Sequence, residues 1–494
     1  MSNYILGVDQ STSGTKVLLV NNEGMIIHKK SKGHKQIYPK PGWVEHDPKE
    51  IYENVKVLID EVIKESGVSF HEIKVCSITN QRETAVVWNR ETGEPIYNAV
   101  VWQCRRTTAD CQTLKEKGFE QLVQTKTGLT IDPYFSATKI SWILSHVKDA
   151  RYLANQGKLL VGTIDSWLIW KLTAGKIHAT DYTNASRTLL YNIYTLEWDK
   201  DLLEIFDIPE SMLGEVKNSD SIFGYIEDES LSIHSLPISG VIGDSQGALF
   251  GQKCFEMGSA KATYGTGTSV MMHTGKPIKA TNGLVTTIAW GLNGKINYAL
   301  EGIINSTGDT INWIKNELQL IQSFDEVESL ADSLPDNQGV YLIPAFVGLG
   351  APYWSPSSKA AIIGISRNTT KSHFIRAAVE SIAYQVKDII HLMETESDIK
   401  LTQLKVDGGA TKNLFLMNFQ AGILNKLVIT SGVPELSSMG SIYLAGLGIG
   451  MWSSTDELEL LAHNDEKFEP MMNDEDRDIY YNGWKMAIEK IVVK

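Results

Sequence analysis

A chain of 494 residues is too long for one compact core, so two to three domains are expected. Its 43% hydrophobic and 21% charged content is that of an ordinary globular protein. A net charge of −13, from 46 Lys+Arg against 59 Asp+Glu with no long basic run, argues against nucleic-acid and membrane partners. Four cysteines without C-x-x-C spacing (Cys76, Cys104, Cys111, Cys254) make neither a disulfide framework nor a zinc site, and no window holds the roughly 18 uninterrupted apolar residues of a membrane span. The chain enters a strand at once, without a basic and apolar leader, so a cytoplasmic location is expected.

Residues 4–8 (YILGV) and 17–20 (VLLV) are apolar runs separated by DQSTSGTK, and they read as a strand, turn, strand hairpin. The turn offers backbone N–H groups, hydroxyls and the Lys16 ammonium to a phosphate, and Asp9 offers a carboxylate to hydrated Mg²⁺; the plain alternative is an ordinary hairpin turn. Asp47-Pro48-Lys49-Glu50 is a helix start with a capping residue, Pro at the first position and Glu at the third, followed by a stripe at Ile51, Val55, Leu58 and Val62. Residues 74–78 read as a buried strand that delivers Asn80-Gln81-Arg82-Glu83 to its carboxyl end, where open α/β sheets bind ligands. Strands are expected again at 99–102 and 159–162, the latter followed by Asp165 as cap of a helix over 166–170.

Residues 237–242 form a strand ending at Asp244, and a second glycine-and-threonine hairpin follows: 261–264, then Gly265-Thr266-Gly267-Thr268-Ser269, then 270–272. A strand over 339–346, a long helix over 372–393 and a strand at 404–409 with a glycine turn complete the alternation of an α/β protein. Two phosphate-type hairpins half a chain apart suggest two domains of related build facing one another across a nucleotide. No low-complexity linker divides them, and motif order puts the boundary near 246–256, giving domains of 1–250 and 251–494.

Phosphoryl transfer asks a protein mainly for positioning and charge stabilisation. Glycine turns at 265–267 and 408–409 allow close approach to a nucleotide, Lys16 is a cation, Asp9 a metal handle, and Asp244 a carboxylate able to take a proton from an acceptor hydroxyl. Arg82 and Glu83 combine donors with acceptors, as a polyhydroxylated ligand requires, or else form a solvated ion pair. Trp102 and Tyr134 offer apolar faces to a carbon chain, or pack in the core. His46 takes no catalytic role, and the remaining histidines lack metal-ligand spacing.

The segments YPKPGWVEHDP (38–48), ITNQRET (78–84), NAVVWQCRRT (98–107), IDPYFS (131–136), TDYTNASRT (180–188) and GLGAPYW (348–354) resemble the bacterial glycerol kinases of the FGGY carbohydrate kinase family, across essentially the whole chain. That resemblance implies two ribonuclease H-like domains of the actin and Hsp70-like ATPase superfamily, with ATP and Mg²⁺ in the cleft between them. Carried over by position, Arg82, Glu83, Trp102, Tyr134 and Asp244 would line the acceptor pocket with Asp244 as general base. Thr12, Ser13, Lys16, Thr266, Gly308, Asn312, Gly409 and Asn413 would meet the nucleotide. A homo-oligomer, dimer or tetramer, is implied in the same way.

Departures cluster. Ser245 stands where such kinases carry a glutamine, Ser269 where they carry a phenylalanine, Trp290 where a small residue is usual, and 303–307 reads Ile-Ile-Asn-Ser-Thr in place of an apolar stretch. Both lost side chains belong to the family's glycerol pocket, so either the acceptor is a larger polyol or the site has repacked around glycerol. The bisphosphate-binding Gly-Gly-x-x-Arg loop and the phosphorylated His-Phe-Tyr-Gly segment of some relatives are expected to be missing, since 226–234 reads IEDESLSIH. A different class, a non-catalytic ATP-driven clamp or scaffold, remains as the alternative; it has no need of Asp244 with Arg82 and Glu83.

Overall fold

The structure, a computed structural model, describes residues 3–355, 357–461 and 464–492. Strand β1 (Tyr4–Gln10) and β2 (Gly14–Asn21) form the expected hairpin, in antiparallel register with Asp9 opposite Lys16. Strand β3 (Ile26–Gly33) continues the meander at the sheet edge, where the exposed charges of Lys29 and Lys32 discourage pairing with another chain. Helix α1 (Pro48–Ser66) begins as its sequence requires: Asp47 accepts a hydrogen bond from Lys49 N at 2.9 Å, Pro48 opens the first turn, and Ile51, Val55, Leu58 and Val62 are buried. Glu50 does not close a capping box but accepts from Lys35 N at 3.1 Å.

Strand β4 (Ile73–Asn80) runs parallel to β1, and the strand at 99–102 shrinks to Ala99–Val100 because the chain turns there, with Cys104 N bonded to Val101 O at 2.9 Å. Helix α2 (Ile164–Leu172) starts earlier than its sequence suggests, and its N-cap is Thr163. Asp165 is therefore not a cap. It lies fully buried in the first turn, accepts from the Thr163 and Thr180 hydroxyls at 2.5 and 2.6 Å, and is pushed up to about 7 by burial and by the nearby Asp181. Strand β5 (Pro237–Gly243) pairs parallel with β4 and runs directly into α3 (Asp244–Gly251).

The second half repeats the plan. Strands β6 (Ser259–Tyr264) and β7 (Thr268–His273) form the second hairpin, and β8 (Val285–Leu292) leads to β9 (Lys295–Ile304), which pairs with β7. Helix α4 (Gly308–Asn316), the long α5 (Lys371–Ser397), β10 (Gln403–Gly408), α6 (Leu414–Leu424), β11 (Leu427–Thr430) and α7 (Leu436–Gly448) follow. Of the strand expected over 339–346 only Tyr341–Ile343 forms, paired with Ala361–Ile363; beyond it the backbone turns, with Ala345 N bonded to Ile343 O.

The order β3-β2-β1-β4-β5 in one sheet matches β9-β7-β6-β10-β11 in the other, each an antiparallel meander joined to parallel strands: the ribonuclease H-like arrangement. The chain packs as two compact units, residues 1–253, 286–298 and 435–462 in one and 254–285, 299–434 and 463–494 in the other. In the first, Leu6, Val8, Val17 and Leu19 meet the apolar stripe of α1. Helix α7 approaches α3 so closely that a Cβ on Gly440 would lie 1.9 Å from Gly247 O. In the second, α5 anchors a core with Ala260, Val270, Leu404 and Val428.

Candidate active site

The turn at Glu83 sets the centre of the first unit's site. Thr84 N bonds back to Arg82 O at 2.7 Å while Glu83 takes a φ of 62°, a tight γ-turn of the kind that stores strain. Its surroundings hold it: Ser136 Oγ donates to Glu83 O at 3.0 Å, and Arg187 Nε donates to Glu83 Oε1 at 2.6 Å. Arg82 and Glu83 are buried, so the solvated ion pair is not what forms. Arg82 Nε lies 3.3 Å from Asp244 Oδ1 and 3.8 Å from Glu83 Oε1. Asp244 opens α3, and its side chain is 36% exposed where those of Arg82 and Glu83 are 4% and 1%, which leaves it the carboxylate open to a ligand. Ser245, the next residue, is half-buried and donates its N–H to Asp244 Oδ1 at 2.7 Å.

Trp102 and Tyr134 are half-buried and meet edge to face, ring centroids 5.3 Å apart, with the Arg187 guanidinium 5.9 Å from the Tyr134 ring. Tyr134 is positioned from below by Lys139, which is fully buried, donates to the carbonyls of Tyr134 and Phe135, and is pushed down to about 7 by burial. Trp102 Nε1 donates to Thr12 Oγ1 at 2.9 Å, which ties this cluster to the β1–β2 turn. Ser13 is exposed on that turn. Asp9 is buried, accepts from Ser438 Oγ at 2.7 Å, and burial raises it to about 6 against the pull of Ser438 and Lys16. Lys16 Nζ pairs with Glu435 Oε2 at 2.5 Å, and Lys29 Nζ reaches the other oxygen of Glu435 at 3.3 Å. His46 is buried against Gln36 and His34 and is pushed down to about 3, a neutral structural imidazole.

In the second unit, Thr266 and Gly308 come together: Gly308 N donates to Gly265 O at 3.1 Å, Asp309 N to Thr266 O at 3.2 Å, and a Cβ on Gly308 would lie 2.4 Å from Gly265 O. Only glycine permits that approach of α4 to the turn. Asn312 is exposed on α4, and Gly409 is exposed just past β10, with open space where its Cβ would be. Asn413 serves as N-cap of α6, its side chain accepting from Leu416 N at 2.8 Å. Ser269 is not a bare replacement for a ring: its hydroxyl lies 3.4 Å from both Lys261 Nζ and Glu301 Oε1, two buried charged groups. Trp290, in the first unit, is buried edge-on to Phe250 with centroids 5.1 Å apart.

Arg187, Lys139, Glu435 and Ser438 are contributors that sequence reasoning passed over. Arg187 was visible only as part of a family-like segment, and the other three bear on the site through partners distant in the chain or through backbone carbonyls, for which no local pattern exists.

In the first unit the buried Arg82–Glu83 pair lies against the partly exposed Asp244, and Trp102 is tied to the hydroxyl-rich β1–β2 turn. The model of the FGGY family of carbohydrate kinases, N-terminal domain, matches residues 4–251, and that of the C-terminal domain matches 260–449. The chain is 50% identical over 491 residues to the glycerol kinase of Caldanaerobacter subterraneus subsp. tengcongensis and 49% identical over 490 residues to that of Bacillus subtilis, each alignment covering 99% of both chains. A crystal structure of Plasmodium falciparum glycerol kinase with ADP superposes with a TM-score of 0.96 at 39% identity, covering 100% of this chain and 99% of that one.

Proposed function

The chain belongs to the FGGY family of carbohydrate kinases, and from that premise we propose that it transfers the γ-phosphoryl group of ATP to a hydroxyl of a small polyol, glycerol or a related larger one. The observation that carries this reading is the buried Arg82–Glu83 pair beside the partly exposed Asp244. A scaffold has no use for such a cradle, whereas a polyol needs charged donors and acceptors already desolvated and fixed. Arg82, Glu83, Ser245 and Ser269 hydrogen-bond the acceptor, Trp102 and Tyr134 cover its carbon chain, and Asp244 takes the proton of the attacking hydroxyl. Thr12, Ser13 and Lys16 meet the phosphates, with Thr266, Gly308, Asn312, Gly409 and Asn413 on the rest of the nucleotide.

Mg²⁺ fits the donor set in one respect: Asp9 is a hard oxygen ligand, and among the described residues only one of its oxygens is bonded, to Ser438. Among the described residues no group of three or more His, Cys, Asp or Glu gathers as a metal cage, so the ion would be held by Asp9, water and phosphate oxygens. When bound it neutralises phosphate charge. A cytoplasmic location is supported by four unpaired cysteines and by the absence, among the described residues, of a helix long and apolar enough to cross a membrane. Family resemblance supports a homo-oligomer, dimer or tetramer, which light scattering would measure.

An ATP-coupled screen of glycerol, dihydroxyacetone, tetritols, pentitols and ketopentoses tests the function. ADP release that depends on one of these polyols is the expected result; ADP release that none of them stimulates would overturn it.

A further inference from the structure

Arg82 is held by three residues of one short segment. Its stem lies where Gly243 lacks a side chain: a Cβ there would come within 2.8 Å of Arg82 Cγ and 2.9 Å of Arg82 Cδ. Its Nε faces Asp244 at 3.3 Å. Its Nη1 donates to Gln246 Oε1 at 3.2 Å, and the amide nitrogen of that fully buried glutamine donates onward to Thr287 Oγ1 at 3.1 Å and to Ile288 O at 3.3 Å. The orientation of the amide follows from chemistry, because a guanidinium only donates and a backbone carbonyl only accepts. A neutral side chain with an acceptor at one corner and a donor at the other satisfies both ends; a carboxylate would face the Ile288 carbonyl, and an apolar group would break the link between Arg82 and the 287–288 segment.

We propose that Gly243 and Gln246 are positioning residues that hold the Arg82 guanidinium for the acceptor, with Gln246 anchoring it to the 287–288 backbone. The inference rests on the reading of Arg82 as an acceptor-binding residue. Gln246 itself touches neither substrate nor reacting atoms in this scheme. Its effect passes through Arg82, so it alters acceptor binding without altering the nucleotide.

A double-mutant cycle with glycerol as the varied substrate tests this. Gln246→Met keeps the volume and removes the amide. It is expected to raise the KM for glycerol by about tenfold to a hundredfold, the usual cost of a hydrogen bond to a charged group, with kcat and the KM for ATP changed by less than about threefold. On an Arg82→Gln background the same substitution is expected to add less than about twofold, because nothing remains to be positioned. An equal penalty on both backgrounds would mark Gln246 as merely structural and overturn the proposal. An Arg82→Gln variant with raised KM beside an unaffected Gln246→Met would overturn it while leaving the acceptor reading intact. If Arg82→Gln leaves the KM for glycerol unchanged, the acceptor reading fails and this inference with it. Should Gln246→Met fail to fold, Gly243→Ala replaces it in the same cycle, since Gly243 has φ −64° and ψ 148°, a conformation open to alanine, and the atoms nearest its Cβ would be those of Arg82 and Gln246.

Discussion

Asp165→Asn should stabilise the protein at alkaline pH and lose most of that advantage in acid. The carboxyl is fully buried beside Asp181, and its pKa rises from 3.8 to about 7 through burial first and Asp181 second. Asp181, held by the Thr183 and Ser219 hydroxyls and by Asn184, is the partner whose charge opposes it. The folded state therefore keeps a proton that the unfolded chain releases, and stability contributed by this group is full below about 4 and lost as the pH rises towards 7. At pH 8 ionising Asp165 within the fold costs about 4 kcal/mol relative to the unfolded chain, and at pH 5 less than about 2 kcal/mol. Asparagine is neutral at both, and it forfeits about 1 kcal/mol in rearranged bonds to the Thr163 and Thr180 hydroxyls. The net gain is about 3 kcal/mol at pH 8 and below about 1 kcal/mol at pH 5, which is a rise in Tm of roughly 3–5 °C in the first case and roughly 0–2 °C in the second. Thermal unfolding of both proteins at the two pH values measures it. A shift equal at the two pH values, or destabilisation at pH 8, would refute the argument.

Three further outcomes follow from the site. Asp244→Asn should fold and bind ATP yet lose about 10²- to 10⁴-fold in kcat, since the amide cannot accept the hydroxyl proton; near-normal turnover removes Asp244 from the chemistry. Fructose 1,6-bisphosphate should leave the rate unchanged in a dose series, because 226–234 offers Glu227, Asp228 and Glu229 where a bisphosphate needs cations, Asp228 being engaged by Tyr52 and Ser230. A four- or five-carbon polyol should match or exceed glycerol in kcat/KM, and Ser245→Gln with Ser269→Phe should shift preference to glycerol; a native preference for glycerol above about tenfold over every longer polyol, ~1.4 kcal/mol, sinks the enlarged-pocket reading.

Local pattern determined the hairpins and the first helix. Alternating apolar runs around small, hydroxyl-rich turns produced β1–β2 and β6–β7, and Asp47-Pro48 capped α1, because these depend on neighbours a few residues apart. The motif segments likewise carried the family. Even so, local pattern failed where a tertiary partner competed: Glu50 bonded to the Lys35 backbone in place of its own cap, and Asp165 was drawn into a buried pair of threonine hydroxyls.

The site's electrostatics belong wholly to tertiary structure. Arg187 lies 104 positions from Glu83, Ser438 is 429 from Asp9 and Glu435 is 419 from Lys16, yet these contacts decide that Glu83 is clamped, that the buried Asp9 keeps a hydroxyl donor which partly offsets the rise burial imposes on its pKa, and that Lys16 is paired. Whether Arg82–Glu83 is a solvated surface pair or a desolvated cradle depends on how much water the surrounding elements exclude. Exclusion of water is a property of packing among segments far apart in the chain, and no spacing of residues along it encodes that alone.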